Sequence, residues 1–234
     1  AGAYDDIVKT AYKNGIPVAT TNSFDGGIYD RLGISHTGQD ASAAAIAGNA
    51  LVQCLADKGV TKGSIVIPSD TAMGNIEVNN RVTAAFNAIV AGLKAAGTLD
   101  NFKVDAGPEN VGVQTDMNDP VNGIVSLFES RGDVVGAFAP NGVFTPALLK
   151  AVAQTKMTGK ICAYGFDLGP PQQAALKSGD LTGSLGQQPF IQGFWPVMQL
   201  YLQIDRGISA ANVDTRAQLV TKENVGNVGK RFEN

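Results

Sequence analysis

Five short segments set amides, carboxylates, hydroxyls and phenyl groups side by side. They are Thr21-Asn22-Ser23-Phe24, Pro68-Ser69-Asp70, Pro140-Asn141-Gly142, Gly165-Phe166-Asp167 and Gly186-Gln187-Gln188-Pro189. Planar amides and carboxylates hold donors and acceptors in fixed geometry, and phenyl rings offer flat apolar faces. The mixture suits a neutral polyhydroxylated molecule, whose hydroxyls need paired hydrogen bonds and whose C–H faces need stacking. It does not suit a phosphate, which calls for glycine-rich amide cradles with Lys or Arg. Taken singly, each Asn, Asp or Ser is more simply a helix cap or turn former. Their recurrence after successive apolar runs is what points to a ligand.

Other chemistries are closed off by residue counts. A single histidine, His36, excludes a multi-histidine metal site, and a Ser-His-Asp triad would have to be built on it alone. Cys54 and Cys162 lack metal spacing or a CxxC pair and read as two buried small hydrophobes. Asp116, Asn118 and Asp119 lack the Gly and terminal Glu of an EF-hand loop and read as capping residues. No Walker loop, GxGxxG fingerprint or GxSxG elbow occurs. The expectation is a binding protein rather than an enzyme, with no metal and no cofactor. Over 234 residues the formal net charge is -3, which gives no broad nucleic-acid footprint. No stretch approaches the roughly 20 apolar residues of a membrane-spanning helix.

The elements that must position these segments alternate in type. A helix over 3–15 stops at Asn14-Gly15. A strand over 16–21 follows, then a short strand over 32–35 with His36 at its end. An Ala-rich helix over 40–58, a strand over 64–68 and a long helix over 75–96 come next. The spacing then predicts a strand over 102–106, a helix over 116–131, a strand over 134–139, a helix over 144–154 and a strand over 160–166. A helix over 170–178 has prolines at its start, where they are tolerated. A strand over 182–186, a helix over 192–206 with Trp195 in its core face, and a strand over 217–221 complete the chain. Such alternation predicts an α/β fold with parallel sheets covered on both faces. Ligands bind such folds at the carboxyl ends of the strands, where the five segments fall.

The motifs, taken in order, resemble the ribose-binding-protein family of periplasmic sugar receptors. Gly15-Ile16-Pro17-Val18-Ala19-Thr20-Thr21-Asn22-Ser23 is similar to the family's strand after N-I-P-V. Gly38-Gln39-Asp40 before Ala47-Gly48 matches its D…G helix start. Gly74 through Phe86 resembles the helix that opens the second lobe, where the ligand-facing arginine maps to Asn79 or Arg81. Phe138-Ala139-Pro140-Asn141-Gly142 is similar to the F-x-x-N-D loop, with Gly142 in place of the Asp, and Tyr164-Gly165-Phe166-Asp167 to the V-G-F-D strand end. Gly186-Gln187-Gln188-Pro189 is similar to a hinge segment carrying a ligand glutamine, and residues 219–225 to the ending of exported sugar receptors.

The resemblance implies a type I periplasmic binding fold, with two Rossmann-like lobes on parallel sheets and a three-segment hinge. It assigns ligand contacts to Asn22, Ser23, Asn79 or Arg81, Asn141, Phe166, Asp167 and Gln187. Lobe one is expected at 1–60 with 189–207, and lobe two at 61–187 with 208–234. Crossings near 59–63, 187–188 and 207–209 would let glycines absorb the dihedral changes of closure. A small neutral sugar would be held in the interlobe cleft, and the closed, monomeric form would dock on the membrane subunits of an ABC importer. The implied location is the periplasm, or the cell surface for an exported, anchored form. Pentose, hexose, polyol and furanosyl ligands all stay open. The effector-binding core of a sugar-responsive transcription repressor shares this fold and is the alternative. Family members begin with strand–helix–strand–helix–strand ahead of the first helix here. At about 30 residues per βαβ unit, roughly 70 to 90 residues are expected to be missing. Lobe one is therefore expected to be incomplete, with an exposed sheet edge.

Overall fold

The computed structural model of the chain describes residues 4–22, 27–69, 76–105, 113–114, 118–209 and 211–228. The chain forms two compact units, residues 1–40 with 187–217 and residues 41–186 with 218–234, so it passes between them three times.

The first unit contains α1 (Asp5–Lys13), β1 (Ala19–Asn22), α2 (Ile28–Leu32) and β2 (Ser35–Gly38), then α8 (Pro189–Arg206) and β10 (Val213–Asp214) from late in the chain. Its three strands are parallel in the order β1-β2-β10. Val8, Ile28 and Ile34 form a small core, with Tyr12, Val18 and Leu32 packed against it. The buried residues of α8 are Gln192, Pro196 and Gln199, spaced along one stripe of the helix. Pro196 has no N–H to give the carbonyl of Gln192 four residues back. Thr21 Oγ1 donates to that carbonyl instead, at 2.6 Å. The rings and aliphatic chains of α8 lie on the other side, with Phe190, Phe194, Trp195, Tyr201 and Ile204 exposed.

The second unit holds a six-stranded sheet in the order β11-β9-β8-β7-β3-β5. Its strands are β3 (Gly63–Val66), β5 (Phe102–Asp105), β7 (Val134–Phe138), β8 (Cys162–Phe166), β9 (Gly183–Gly186) and β11 (Gln218–Thr221). All pairings are parallel except that of β11 with β9. The short strands β4 (Pro68–Ser69) and β6 (Val113–Gln114) pair separately. Helices α3 (Ala45–Asp57), α4 (Ile76–Ala95), α5 (Pro120–Arg131), α6 (Phe144–Gln154) and α7 (Pro170–Ser178) connect them.

Successive strand residues turn to opposite faces. Ala137 and Ala163 enter a core with Ile124, Phe128, Leu148 and Leu176 from α5, α6 and α7. Their neighbours Gly136 and Cys162 meet α3. Both faces are covered, so β8 is buried throughout. Helix starts follow local chemistry: Asp119 Oδ1 accepts from Asn122 N at 3.3 Å, Pro120 occupies the first turn, and Gly132 at φ 70° ends the helix. Asp119 is thus a cap, as expected, while Asp116 lies outside the described residues.

The structure corrects five expectations. The first crossing lies near residue 40 rather than 60, because α3 belongs to the second unit. There Leu51 and Leu55 are fully buried, and a Cβ at Gly48 would fall 2.5 Å from Ala85 O, so glycine permits the close approach of α3 to α4. Residues 208–217 likewise stay with the first unit, because β10 pairs with β2. The strand expected over 32–35 begins only at Ser35 and runs to Gly38, because Leu32 ends α2 and Gly33 follows it at φ 66°, so His36 lies inside β2. Trp195 is 42% exposed and not core, since α8 packs through its glutamines. Finally, Cys54 and Cys162 are buried but joined as a disulfide, with their Cα atoms 6.0 Å apart across 108 residues of sequence.

A disulfide closing a loop of this size is worth about 4–5 kcal/mol on chain-entropy grounds. The double substitution Cys54→Ser, Cys162→Ser should therefore lower the melting temperature of the chain in calorimetry. Wild type in dithiothreitol should melt with the double variant. Identical melting of the oxidised wild type and the double variant would show that the bond adds nothing.

Candidate functional site

In the second unit the carboxyl ends of β7 and β8 meet the first turns of α4. Arg81 and Glu77 lie four residues apart on one face of that helix. Each is only 5% exposed, and Arg81 Nη2 donates to Glu77 Oε1 at 3.2 Å. The Arg81 guanidinium lies 3.9 Å from the centroid of the Phe166 ring, a cation–π arrangement. Its Nη1 donates to Pro140 O at 3.4 Å, in the loop after β7. Burial draws the Arg81 pKa below its usual value, against the raising effects of Glu77 and then Asp167.

Asp167 follows β8 in a left-handed conformation, at φ 70°. Its N–H donates to Leu185 O at 2.8 Å and its carbonyl accepts from Ser184 Oγ at 2.7 Å, so β9 fixes the turn. A Cβ at Gly142 would fall 2.6 Å from Asp167 Oδ2. The glycine that stands where the resembling family has Asp is therefore the residue that leaves room for the Asp167 carboxylate.

Asn141 has a structural task of its own. Its Oδ1 accepts from Val143 N and Phe144 N, at 3.0 and 2.9 Å, and so starts α6. What it can offer a ligand is its Nδ2 donors. Thr145 Oγ1 lies 2.9 Å from Asn141 O and 3.0 Å from Phe166 O, and it accepts from Phe166 N at 2.9 Å. This buried hydroxyl ties the two strand-end loops together. Asn79 is two residues from both Glu77 and Arg81 and so off their stripe; its Oδ1 is buried with no hydrogen-bond partner among the described residues. Of the two alternatives for the arginine position, it is Arg81 that the fold brings to Phe166 and Asp167.

In the first unit the residue that joins the expected positions is Gln192. Its Oε1 accepts from Asn22 Nδ2 at 3.1 Å. Its Nε2 reaches Gln187 O at 2.7 Å and Thr215 Oγ1 at 3.1 Å. Asn22 ends β1 at φ 73°, and Thr215 Oγ1 also donates to Gln187 O at 3.1 Å. Asn22 and Gln187 are thus brought into one network, whereas Ser23 lies outside the described residues. Glu77, Thr145, Gln192 and Thr215 are the participants that sequence reasoning missed. Only Glu77 carried a signal, its spacing of four from Arg81.

A separate concavity of about 440 Å³ lies in the second unit among Cys54, Asp57, Lys58, Tyr164, Lys222 and Glu223. Burial, then Asp57 and Glu223, push the Tyr164 phenol up to about 12, and its hydroxyl donates to Ala50 O at 3.0 Å. The concavity lies around the start of β9 and the end of β11, not at the strand ends where Arg81 and Asp167 gather.

Comparison with known proteins agrees with this fold. The model of a periplasmic binding protein domain matches residues 1–208. The xylose/arabinose-binding protein XylF of Sulfolobus acidocaldarius is 31% identical over 116 residues, 47% of this chain but only 29% of that protein's length. A solute-binding protein of an ABC transporter from Burkholderia graminis, solved with D-arabinose, superposes with a TM-score of 0.74 at 24% identity. That match covers 97% of this chain and 74% of the other. One from Actinobacillus succinogenes, solved with D-allose, gives a TM-score of 0.79 at 19% identity, over 96% of this chain and 76% of that one. With most of its length matched and two α/β units built on parallel sheets, the chain belongs to the periplasmic binding protein domain family.

Proposed function

We propose that this chain is the sugar-recognising body of a solute-binding protein that serves an ABC importer. It captures a small neutral sugar without chemical change and presents it to the importer's membrane subunits, outside the cytoplasmic membrane. The observation that carries this reading is Arg81 stacked on Phe166 beside Asp167 at the carboxyl ends of the parallel strands. A carboxylate accepts hydrogen bonds from vicinal hydroxyls, and charge-assisted bonds of this kind are the strong ones. Asn141 adds donors from the second unit. Asn22 and Gln187 are the candidate contacts of the first. The disulfide favours an oxidising compartment and so supports transport over the intracellular repressor alternative. The relatives support the same choice: arabinose and allose are the sugars in two of the solved neighbours, and xylose or arabinose that of the curated one.

A thermal-shift series with D-arabinose, L-arabinose, D-xylose and D-allose should raise the melting temperature with at least one sugar, and that sugar should be recovered unaltered. No shift with any of them would count against the assignment. Asp167→Ala should weaken binding of the stabilising sugar by about 1–3 kcal/mol or more in titration calorimetry. An unchanged dissociation constant would remove Asp167 from the site. Gly142→Ala should also weaken binding, because the added methyl displaces the Asp167 carboxylate. Gly142 is exposed, so its melting temperature without sugar should stay near wild type. Full affinity in this variant would show that the carboxylate position is unimportant.

A further inference from the structure

We infer that Glu77 sets the charge selectivity of the site: by neutralising Arg81 it confines the ligand to uncharged polyols and turns away sugar acids and sugar phosphates. This rests on the sugar-binding reading above and specifies its substrate class. A buried arginine at a ligand site would ordinarily recruit a carboxylate or phosphate, since its planar fork matches both. Here one prong is already taken. Glu77 and Arg81 are both 5% exposed and 3.2 Å apart, with side-chain exposures of 6% each. Asp167 adds a second carboxylate within electrostatic reach of the same guanidinium. Across these three residues the formal charge is negative, and in a buried setting such charges are weakly screened. A ligand carboxylate would meet repulsion from Glu77 and Asp167 and would offer Asp167 no hydrogen to accept. A hydroxyl meets neither obstacle, because it donates to Asp167 and accepts from Arg81. Phe166 beneath the guanidinium favours the same outcome, because its face attracts the cation and holds it in place without adding a donor that an anion could use.

The test is titration calorimetry of the 234-residue chain with D-arabinose and D-xylose against D-arabinonate, D-xylonate and D-arabinose 5-phosphate. Wild type should bind a neutral sugar and bind its acid or phosphate at least about tenfold more weakly, the scale on which one nearby charge shifts an ionisation equilibrium. In Glu77→Gln the ratio of acid to neutral affinity should rise by about tenfold or more, and Glu77→Asp should restore the rejection. A Glu77→Gln chain that is folded by circular dichroism and discriminates as strongly as wild type overturns the inference. So does a wild type that binds D-arabinonate or D-xylonate as tightly as the parent sugar, a measurement independent of how any variant folds. A wild type that binds none of the five, nor L-arabinose or D-allose, overturns the sugar-binding reading itself, and this inference with it.

Discussion

The structure is organised around a cation that has been taken out of water. Arg81 is held by a carboxylate four residues back on its own helix, by a phenyl ring at the end of β8 and by a carbonyl in the loop after β7. Each partner comes from a different part of the sequence, so the guanidinium can be satisfied only when α4, β7 and β8 are in register. Removing one partner would leave a buried charge partly uncompensated, which is far more costly than losing an exposed ion pair. The strand-end loops inherit their order from this arrangement. Thr145 links the loop of Asn141 to the loop of Phe166, and Gly142 leaves the space that the Asp167 carboxylate occupies.

Much of this was legible where the chemistry is local. The bounds of α6 and α7 match the expected spans at both ends, because an Asn-initiated turn, paired prolines and a left-handed Gly179 act within a few residues. The clustering of Asn141, Phe166 and Asp167 was legible from the rule that parallel strands gather their carboxyl ends. The Asn79-or-Arg81 alternative was not decidable in one dimension. Which of the two meets Phe166 depends on the helix face, and only the three-dimensional fold supplies that.

The misreadings share a cause. The periodicity of α8 shows that one stripe differs from the other but not which one is covered. Here the stripe of Gln192, Pro196 and Gln199 turns to the strands, and the aromatic stripe that reads as core faces away. The unit boundary moved for a similar reason. Glycines 59 and 63 have the composition of a connection, yet α3 before them is claimed by β7, β8 and α4. The cysteines sit 108 residues apart, and no spacing rule operates at that range; topology alone makes them neighbours.

The covalent tie between α3 and β8 also alters how the site's own members find one another. Glu77, Arg81 and Asn141 lie inside the loop it closes, while Phe166 and Asp167 lie just beyond it. In the oxidised unfolded chain the tether from Arg81 to Asp167 runs back to Cys54 and across to Cys162. It is well under half the contour of the uncrosslinked path. Loop-closure entropy varies slowly, by about 0.6 kcal/mol for each doubling of length, so the gain is modest. Even so, it falls on the pairing at the heart of the site. Oxidation before collapse would bring the guanidinium and its ring within reach of each other at a lower entropic cost.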